Sequence, residues 1–589
     1  DLGFDGFVMS DWGATHSTKA ALLAGLNLEM PGGRYFGAPL AAAVASDPSL
    51  QPYVDDSAAR ILRSMTRIGL MDHPPRSGPF PYARDARDAK RIAENAAVLL
   101  KNEGGTLPLD RNAVRSIALI GWGVSPAPTF GGGSGWTQPG VSTSALDAFR
   151  TLLGSRVLIE HVYAQGIPFV TDDPTIDALS LAPRNARPGQ HGLLRERFAN
   201  PYLQGRPETR VDPYVDFNWE FPGGVDGDAY FAFSIRWSGT LTAPQTGWYM
   251  LGSDSPFGTR LTVDGRRLVD NWSATWRRPG AQSARVFLQS GKHYPIVFDF
   301  RGDAQYARLF WVPPAATQTP DIARAVAAAR RADVAVVFAG DYETEGADRD
   351  TLALTGGQSR LIEAVAAANP HTVVVLNCGS AIAMGEWLDR VPAVLDMWYG
   401  GEESGAAAAD LLFGMANPSG KLPITFPAYD DVVPARVSSG RTIVYREGRN
   451  VAYRWYDSRG TVPEFPFGYG LSYTSFILRN LRIASTMVKS GEPVTIEADV
   501  FNSGKRAGAE VVQLYVGFPA GAGEPPKQLK GFEKVALRPA ESRHLVFTLA
   551  PSDLSTWQGR WQEATGTFTA MIGDSSQDLP LQSRFSVTP

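Results

Sequence analysis

Gly6-Phe7-Val8-Met9-Ser10-Asp11-Trp12-Gly13 is an apolar, strand-like run that stops on a carboxylate followed by an indole. A carboxylate at the C-terminal tip of a buried strand occupies the place where barrel enzymes carry their chemistry, and an adjacent Trp offers a flat apolar face to a sugar ring. Asp11 is therefore the first catalytic candidate and Trp12 a candidate substrate-binding residue. The competing reading is an Asp that caps the following helix, so the surrounding sequence has to decide. Residues 7–9 read as one strand, 19–24 as the helix after it and 26–30 as a second strand. Asp55 then reads as the cap of a helix that carries Ile61, Leu62, Met65 and Ile68 as a buried stripe. A complete eight-stranded barrel takes about 250 residues. Here the barrel-like pattern ends near Asp72, so only the C-terminal part of a (β/α)8 barrel is expected, the missing segment having been lost or being supplied by a separate polypeptide.

Composition narrows the classes. With 589 residues, 44% of them hydrophobic and 20% charged, the chain can build several domains with substantial cores. A formal net charge of -4 gives no electrostatic case for nucleic acid or for an anionic membrane, and no apolar run is long enough to span a bilayer. Neutral partners are expected. The single cysteine, Cys378, excludes an intrachain disulfide framework, and the seven His are scattered without metal-ligand spacing. No metal and no cofactor are therefore expected. The chain starts at Asp1, where no export signal can be judged. A secreted or periplasmic setting and a homo-oligomer both stay open.

From Asp85 the pattern changes to alternating helices and apolar strands, with residues 116–121 as a buried strand. That strand runs into Gly121-Trp122-Gly123, but Pro126 stands where a dinucleotide-binding turn would need its third glycine, which excludes a nucleotide site. Gly131-Gly132-Gly133-Ser134-Gly135 reads as a flexible or close-packed loop beside the active site. Between about 181 and 314 the chain turns strand-rich, and Asp264-Gly265 is a hairpin dipeptide. The helix-and-strand pattern then resumes with Ala332-Asp333-Val334-Ala335-Val336-Val337-Phe338-Ala339-Gly340, a strand apolar enough to be buried on both faces. It ends beside Tyr342-Glu343-Thr344-Glu345-Gly346-Ala347-Asp348-Arg349, a short loop with four carboxylates or their partners, which reads either as a solvated acidic loop or as a second catalytic element. Glu402 and Glu403 stand at a helix start, where dipole and capping roles account for them. From Phe476 short alternating runs such as Val494-Thr495-Ile496-Glu497-Ala498 give β-sandwich patterning.

These segments together carry a resemblance. Gly3-Phe4-Asp5-Gly6-Phe7-Val8-Met9-Ser10-Asp11-Trp12, Ala24-Gly25-Leu26-Asn27-Leu28-Glu29-Met30-Pro31-Gly32, the 342–349 loop and Asn417-Pro418-Ser419-Gly420-Lys421-Leu422-Pro423 resemble glycoside hydrolase family 3 β-glucosidases. Trp237-Ser238-Gly239-Thr240-Leu241, Thr246-Gly247-Trp248-Tyr249, Leu261-Thr262-Val263-Asp264-Gly265 and Gly291-Lys292-His293-Tyr294 resemble a PA14 domain inserted into the sandwich, as in a subset of that family. The resemblance implies a multidomain α/β plus all-β fold. Residues 1–72 would be the C-terminal part of the barrel, 85–180 and 317–430 an α/β sandwich, 181–316 the PA14 insertion, 431–475 a linker and 476–589 a fibronectin III-like domain.

The resemblance also implies Asp11 as nucleophile and Glu343 as acid/base, with Glu345 as the alternative, and Asp348 and Arg349 as an ion pair that holds the loop. Phe257 would line the entrance. Some PA14 domains bind sugar through calcium, but the matching loop, Ser253-Asp254-Ser255-Pro256-Phe257-Gly258, lacks a second Asp and offers few oxygen ligands. The implied activity is a retaining β-glucosidase acting on a β-glucoside substrate. Members that are β-xylosidases commonly carry Cys where Trp12 stands, which favours glucose. A non-catalytic carbohydrate-binding or accessory fragment, and a related β-glycosidase such as a β-xylosidase, are the alternatives.

Overall fold

The computed structural model describes residues 4–589 apart from 75–77, 79–80, 126–127, 130, 132, 136, 138–141, 163–175, 177–179, 188, 219–232, 245, 256–257, 273–281, 303–305, 313–319, 342, 344–348, 350, 355–356, 431–436 and 440–441. The chain forms two compact units, 1–81 and 82–589.

In the first unit the runs around Val8 and Leu28 lie side by side in parallel. Met9 bridges Leu28, the Ser10 N–H donates to Leu28 O at 2.9 Å, and the Gly13 N–H donates to Met30 O at 3.0 Å. The helix Lys19–Leu23 crosses between them. Two runs with a helix between them are present, but in place of the two expected strands they share one isolated bridge. The expected cap at Asp55 is not found. The helix runs over Gln51–Arg67 from Leu50, with a Pro in its first turn, so Asp55 lies inside it and accepts from Gln51 Nε2 at 2.8 Å. Its expected buried stripe is also only partial. Ile61 and Met65 are half-buried, whereas Leu62 and Ile68 are 51% and 75% exposed.

The second unit is organised on a six-stranded sheet. Its strands are β1 (Val98–Asn102), β2 (Ser116–Ile120), β3 (Leu158–Val162), β4 (Val334–Gly340), β5 (Thr372–Asn377) and β6 (Ala393–Asp396), in the spatial order β1-β6-β5-β4-β2-β3. Only the β1–β6 pair is antiparallel. Every residue of β4 is buried, and its side chains alternate between two cores as the period of a strand requires. Val334, Val336 and Phe338 pack with Phe149, Leu411 and Leu412 on one face. Ala335, Val337 and Ala339 pack with Ala325, Ile362 and Val365 on the other. Each fully buried Val or Leu contributes about 1.5–3 kcal/mol, which is why this strand reads as a continuous apolar run. Successive strands step one way from β2 to β3 and the other way from β4 through β5 to β6. The order therefore reverses between β2 and β4, and the carboxyl ends of strands at such a reversal are where open α/β sheets hold ligands.

Between β3 and the helix Pro320–Arg331 the chain builds two antiparallel sheets, of seven and four strands. Their shared core contains Trp237 stacked on Phe298, with ring centroids 5.5 Å apart, and the Trp237 indole N–H donates to Asp212 Oδ2 at 2.8 Å. Asp264 and Gly265 have φ of +50° and +76° and turn the strand Gly258–Val263 into Arg266–Asp270, the left-handed pair that a tight hairpin needs.

The last part is a sandwich of three- and five-stranded sheets around one core. Strand Val494–Asn502 alternates buried and half-buried residues throughout. Lys421 ties this sandwich to the α/β part, since its Nζ lies 2.7 Å from Glu510 and also donates to Gly470 O, and both side chains are at least nine-tenths buried. Removing one partner of such a pair leaves a buried charge uncompensated, which costs about 3–5 kcal/mol. Glu510→Ala should lower stability by that order, read as a fall in the denaturant midpoint, while Arg84→Ala at the exposed Arg84–Asp85 pair should leave it nearly unchanged. Equal midpoints for the two variants would contradict the tie.

Candidate functional site

In the first unit Asp11 follows the run whose Met9 forms an isolated bridge with Leu28. Its Oδ1 accepts the Trp12 N–H at 2.7 Å, and both Asp11 and Trp12 are exposed. The backbone beneath is pinned by side chains. Asn27 Oδ1 accepts the Val8 N–H at 2.8 Å, Asn27 Nδ2 donates to Ser57 Oγ, and Ser10 Oγ accepts the Met30 N–H. Glu29 is buried and its Oε2 accepts the N–H groups of Tyr35 and Phe36 at 2.9 and 2.6 Å. Glu29 thus fixes the loop that follows the second run. A cavity of about 380 Å³ lies within this unit, lined mainly by apolar groups such as Leu22, Leu28, Phe36 and Ile61, with Glu29 at its wall.

In the second unit Glu343 follows β4 at the strand-order reversal. Arg349 Nη1 donates to Glu343 Oε1 at 3.1 Å and to Ala381 O at 2.8 Å, while Arg349 Nη2 pairs with the buried Asp341. The Tyr399 hydroxyl accepts the Glu343 N–H at 2.8 Å and donates to Asp341 O at 2.7 Å, so one phenol clamps both backbone positions. Gln358 closes the strand end below, accepting from Gly340 N–H and donating to Gly340 O. Two glycines are required by close approach. A Cβ at Gly121, where φ is +112°, would lie 2.1 Å from Phe338 O, and a Cβ at Gly379 would lie 3.0 Å from Glu343 Oε2.

Burial dominates the electrostatics. Desolvation raises the Glu343 carboxyl above the ordinary glutamate range, and Arg349 together with the N–H groups of Gly379 and Ser380 opposes it. Desolvation pushes Asp341 up to about 7 against the pull of Arg349, with the charge on Glu343 adding to the rise. Asp396, at the end of β6, is fully buried and is likewise pushed up to about 7 by desolvation. One of its oxygens accepts from Trp398 N–H at 2.9 Å and from the Cys378 thiol at 3.5 Å, and the other has no hydrogen-bond partner among the described residues. Burial and the neighbouring carboxyls push the Cys378 thiol up in turn, so it is a poor thiolate. Among the described residues no group of three or more His, Cys, Asp and Glu side chains is arranged to hold a metal ion, and no helix is long and apolar enough to cross a membrane.

Residues 97–473 match the glycosyl hydrolase family 3 C-terminal domain and 510–576 a fibronectin type III-like domain. A beta-glucosidase of Rhizobium radiobacter is 34% identical over 98% of this chain and 72% of its own length. The chain belongs to glycosyl hydrolase family 3. Among solved structures, DesR, a beta-glucosidase from Streptomyces venezuelae determined with D-glucose, is 33% identical with a TM-score of 0.74, and the likeness covers 100% of this chain and 72% of that one. A beta-glucosidase from Kluyveromyces marxianus in complex with glucose reaches 0.73 at 26% identity, over 99% and 73%.

In this family 3 chain Glu343 follows the end of β4, and most of the groups around it were not singled out in the sequence. Glu345, Asp348 and Phe257 lie outside the described residues. Arg349, expected to pair with Asp348, pairs among the described residues with Asp341 and Glu343. Glu403, expected as a helix cap, is the N-cap residue of Ser404–Leu412, but its carboxylate accepts from Thr143 Oγ1 at 3.0 Å instead of a helix N–H. Gly131 lies close to Glu343, since a Cβ there would lie 2.6 Å from Glu343 O. Asp396 had a legible signal, being a lone carboxyl within Ala393-Val394-Leu395-Asp396-Met397-Trp398.

A carboxyl whose folded pKa is raised binds a proton that the unfolded chain has released. Its contribution is therefore fully present below the unfolded value of 3.8 and is lost as pH rises through about 7. Stability should fall between about pH 4 and 7, and Asp396→Asn should flatten that slope, measured as denaturant midpoints across the range. A slope unchanged in the variant would contradict the buried protonated form.

Proposed function

We propose that this chain hydrolyses terminal non-reducing β-D-glucosyl residues of short oligosaccharides or aglycone glucosides, with retention of configuration through a double displacement. The observation that carries the reading is Glu343, a carboxyl with raised proton affinity, half-buried at the strand-order reversal of a family 3 chain. The names of its relatives, with glucose in the structures of two of them, supply the sugar.

Glycosidic cleavage passes through positive character at the anomeric carbon, so one carboxylate must face that carbon while an acid protonates the departing oxygen. In this reading Asp11 attacks the anomeric carbon as Glu343 gives its proton to the leaving group. Glu343, now a base, takes a proton from water, and that water displaces Asp11 from the glycosyl ester. Trp12 offers its ring face to the sugar. The all-β insertion, read as a PA14 domain over 181–316, would limit acceptor length, with Phe257 at the entrance. The remaining boundaries follow the same reading, with 1–72 as barrel, 85–180 and 317–430 as sandwich, 431–475 as linker and 476–589 as the fibronectin III-like domain.

Asp11→Asn should abolish turnover of an aryl β-glucoside while leaving thermal unfolding unchanged, and near-normal hydrolysis by that variant would remove Asp11 from the mechanism. Glu343→Ala should regain turnover when azide is added to an activated aryl glucoside, giving the β-glucosyl azide. If Glu345→Ala is rescued instead, the acid/base is the other member of the loop. Binding of a β-glucoside by the unaltered protein without any hydrolysis would support the accessory-fragment reading.

A further inference from the structure

The Arg349 guanidinium is divided between two carboxyls. Its Nη2 side pairs with Asp341, and its Nη1 is shared between Glu343 Oε1 and Ala381 O. An Arg fork usually serves one carboxylate through two parallel bonds. Here neither carboxyl receives both. The backbone enforces the division. Asp341 N–H still donates to Asn377 O at 3.0 Å, which continues the β4–β5 ladder to Asp341, and the Arg349 guanidinium reaches Asp341 with one nitrogen and Glu343 with the other. Tyr399 then fixes both backbone positions through one hydroxyl.

Among the described residues, the other groups that face Glu343 are the N–H groups of Gly379 and Ser380, the Tyr399 hydroxyl, and the buried Cys378 and Asp396. Among the described residues, Asp341 and Glu343 thus share one cation, while the buried Asp396 has no cation against it and feels the charge of Glu343. They cannot all ionise in a desolvated site, and their protons come off as a coupled set.

We propose that Asp341 is a positioning residue for Glu343. By occupying one side of the Arg349 guanidinium it prevents full neutralisation of a Glu343 carboxylate, and so keeps the proton on Glu343 that the departing oxygen requires. The proposal rests on the reading of Glu343 as the acid/base. It assigns Asp341 no contact with substrate, so its removal should alter proton affinity before it alters binding.

Asp341→Asn preserves shape and still accepts from Arg349, but cannot ionise, so it removes the second titrating carboxyl from the shared guanidinium. The alkaline limb of kcat/KM on an aryl β-glucoside with a poor leaving group reports the acid of the free enzyme. In the variant that limb should move down by about one pH unit, with KM nearly unchanged. Asp341→Glu, which keeps a titrating carboxyl, should restore the limb toward its original position. Asp341→Ser, also neutral and able to accept from Arg349, reads the same limb if the Asn variant does not give a cooperative thermal unfolding transition. A limb that stays in place in the folded neutral variant, or that moves up, overturns the proposal. Azide rescue of Glu343→Ala separates the two failures. Rescue with an unmoved limb removes Asp341 alone, whereas absence of rescue removes the reading of Glu343 on which the proposal stands.

Discussion

A charge at the carboxyl end of a fully buried strand is costly, and the Arg349 guanidinium is what makes a cluster of such charges tolerable. β4 emerges from between two apolar cores directly into Asp341 and Glu343, with Asp396 and Cys378 beneath them. One guanidinium between the two carboxyls Asp341 and Glu343 cannot fully neutralise both in a desolvated site, so the pair holds a proton to higher pH than an exposed carboxyl does.

That arrangement dictates much of the local architecture. Gln358 pairs with both backbone groups of Gly340, which fixes where the strand ends. Gly121 lets β2 pass close against Phe338 O, where a side chain would meet backbone, and a side chain at Gly379 would press on the Tyr399 ring and the Glu343 carboxyl. The surrounding strands need only be apolar, and their sequences accordingly carry little beyond Val, Ile, Leu and Ala. The β-rich insertion enters after β3, at the edge of the sheet, where it adds two sheets with a separate core without interrupting the parallel ladder of β2, β4, β5 and β6.

What was legible in the sequence follows from how local its cause is. The apolar run of β4, the Asp264-Gly265 hairpin and the alternation of Val494–Asn502 are each set by nearest neighbours, and each is found where the pattern places it. The helix Gln51–Arg67 was legible as a helix, but its start was not, because a Pro in the first turn and the preceding Pro48–Leu50 turn outrank the acidic residue at Asp55. Glu343 stood out because its loop is rich in charge. Asp341 and Tyr399 did not, because their role comes from packing between segments 58 residues apart in the chain. Asp396 could be seen as an anomaly in an apolar strand, but only the fold shows that it lies under the Glu343 loop.

The central claim is that Glu343 is the proton donor to the departing oxygen, and the leaving-group dependence of Glu343→Gln tests it most directly. With aryl β-glucosides of graded phenol acidity, the variant should lose little kcat/KM on the most acidic phenol and progressively more as the phenol becomes a poorer leaving group, because only the poorer ones need the proton. A loss of the same size across the whole series would contradict the account, since a residue that serves binding or folding alone is indifferent to the leaving group.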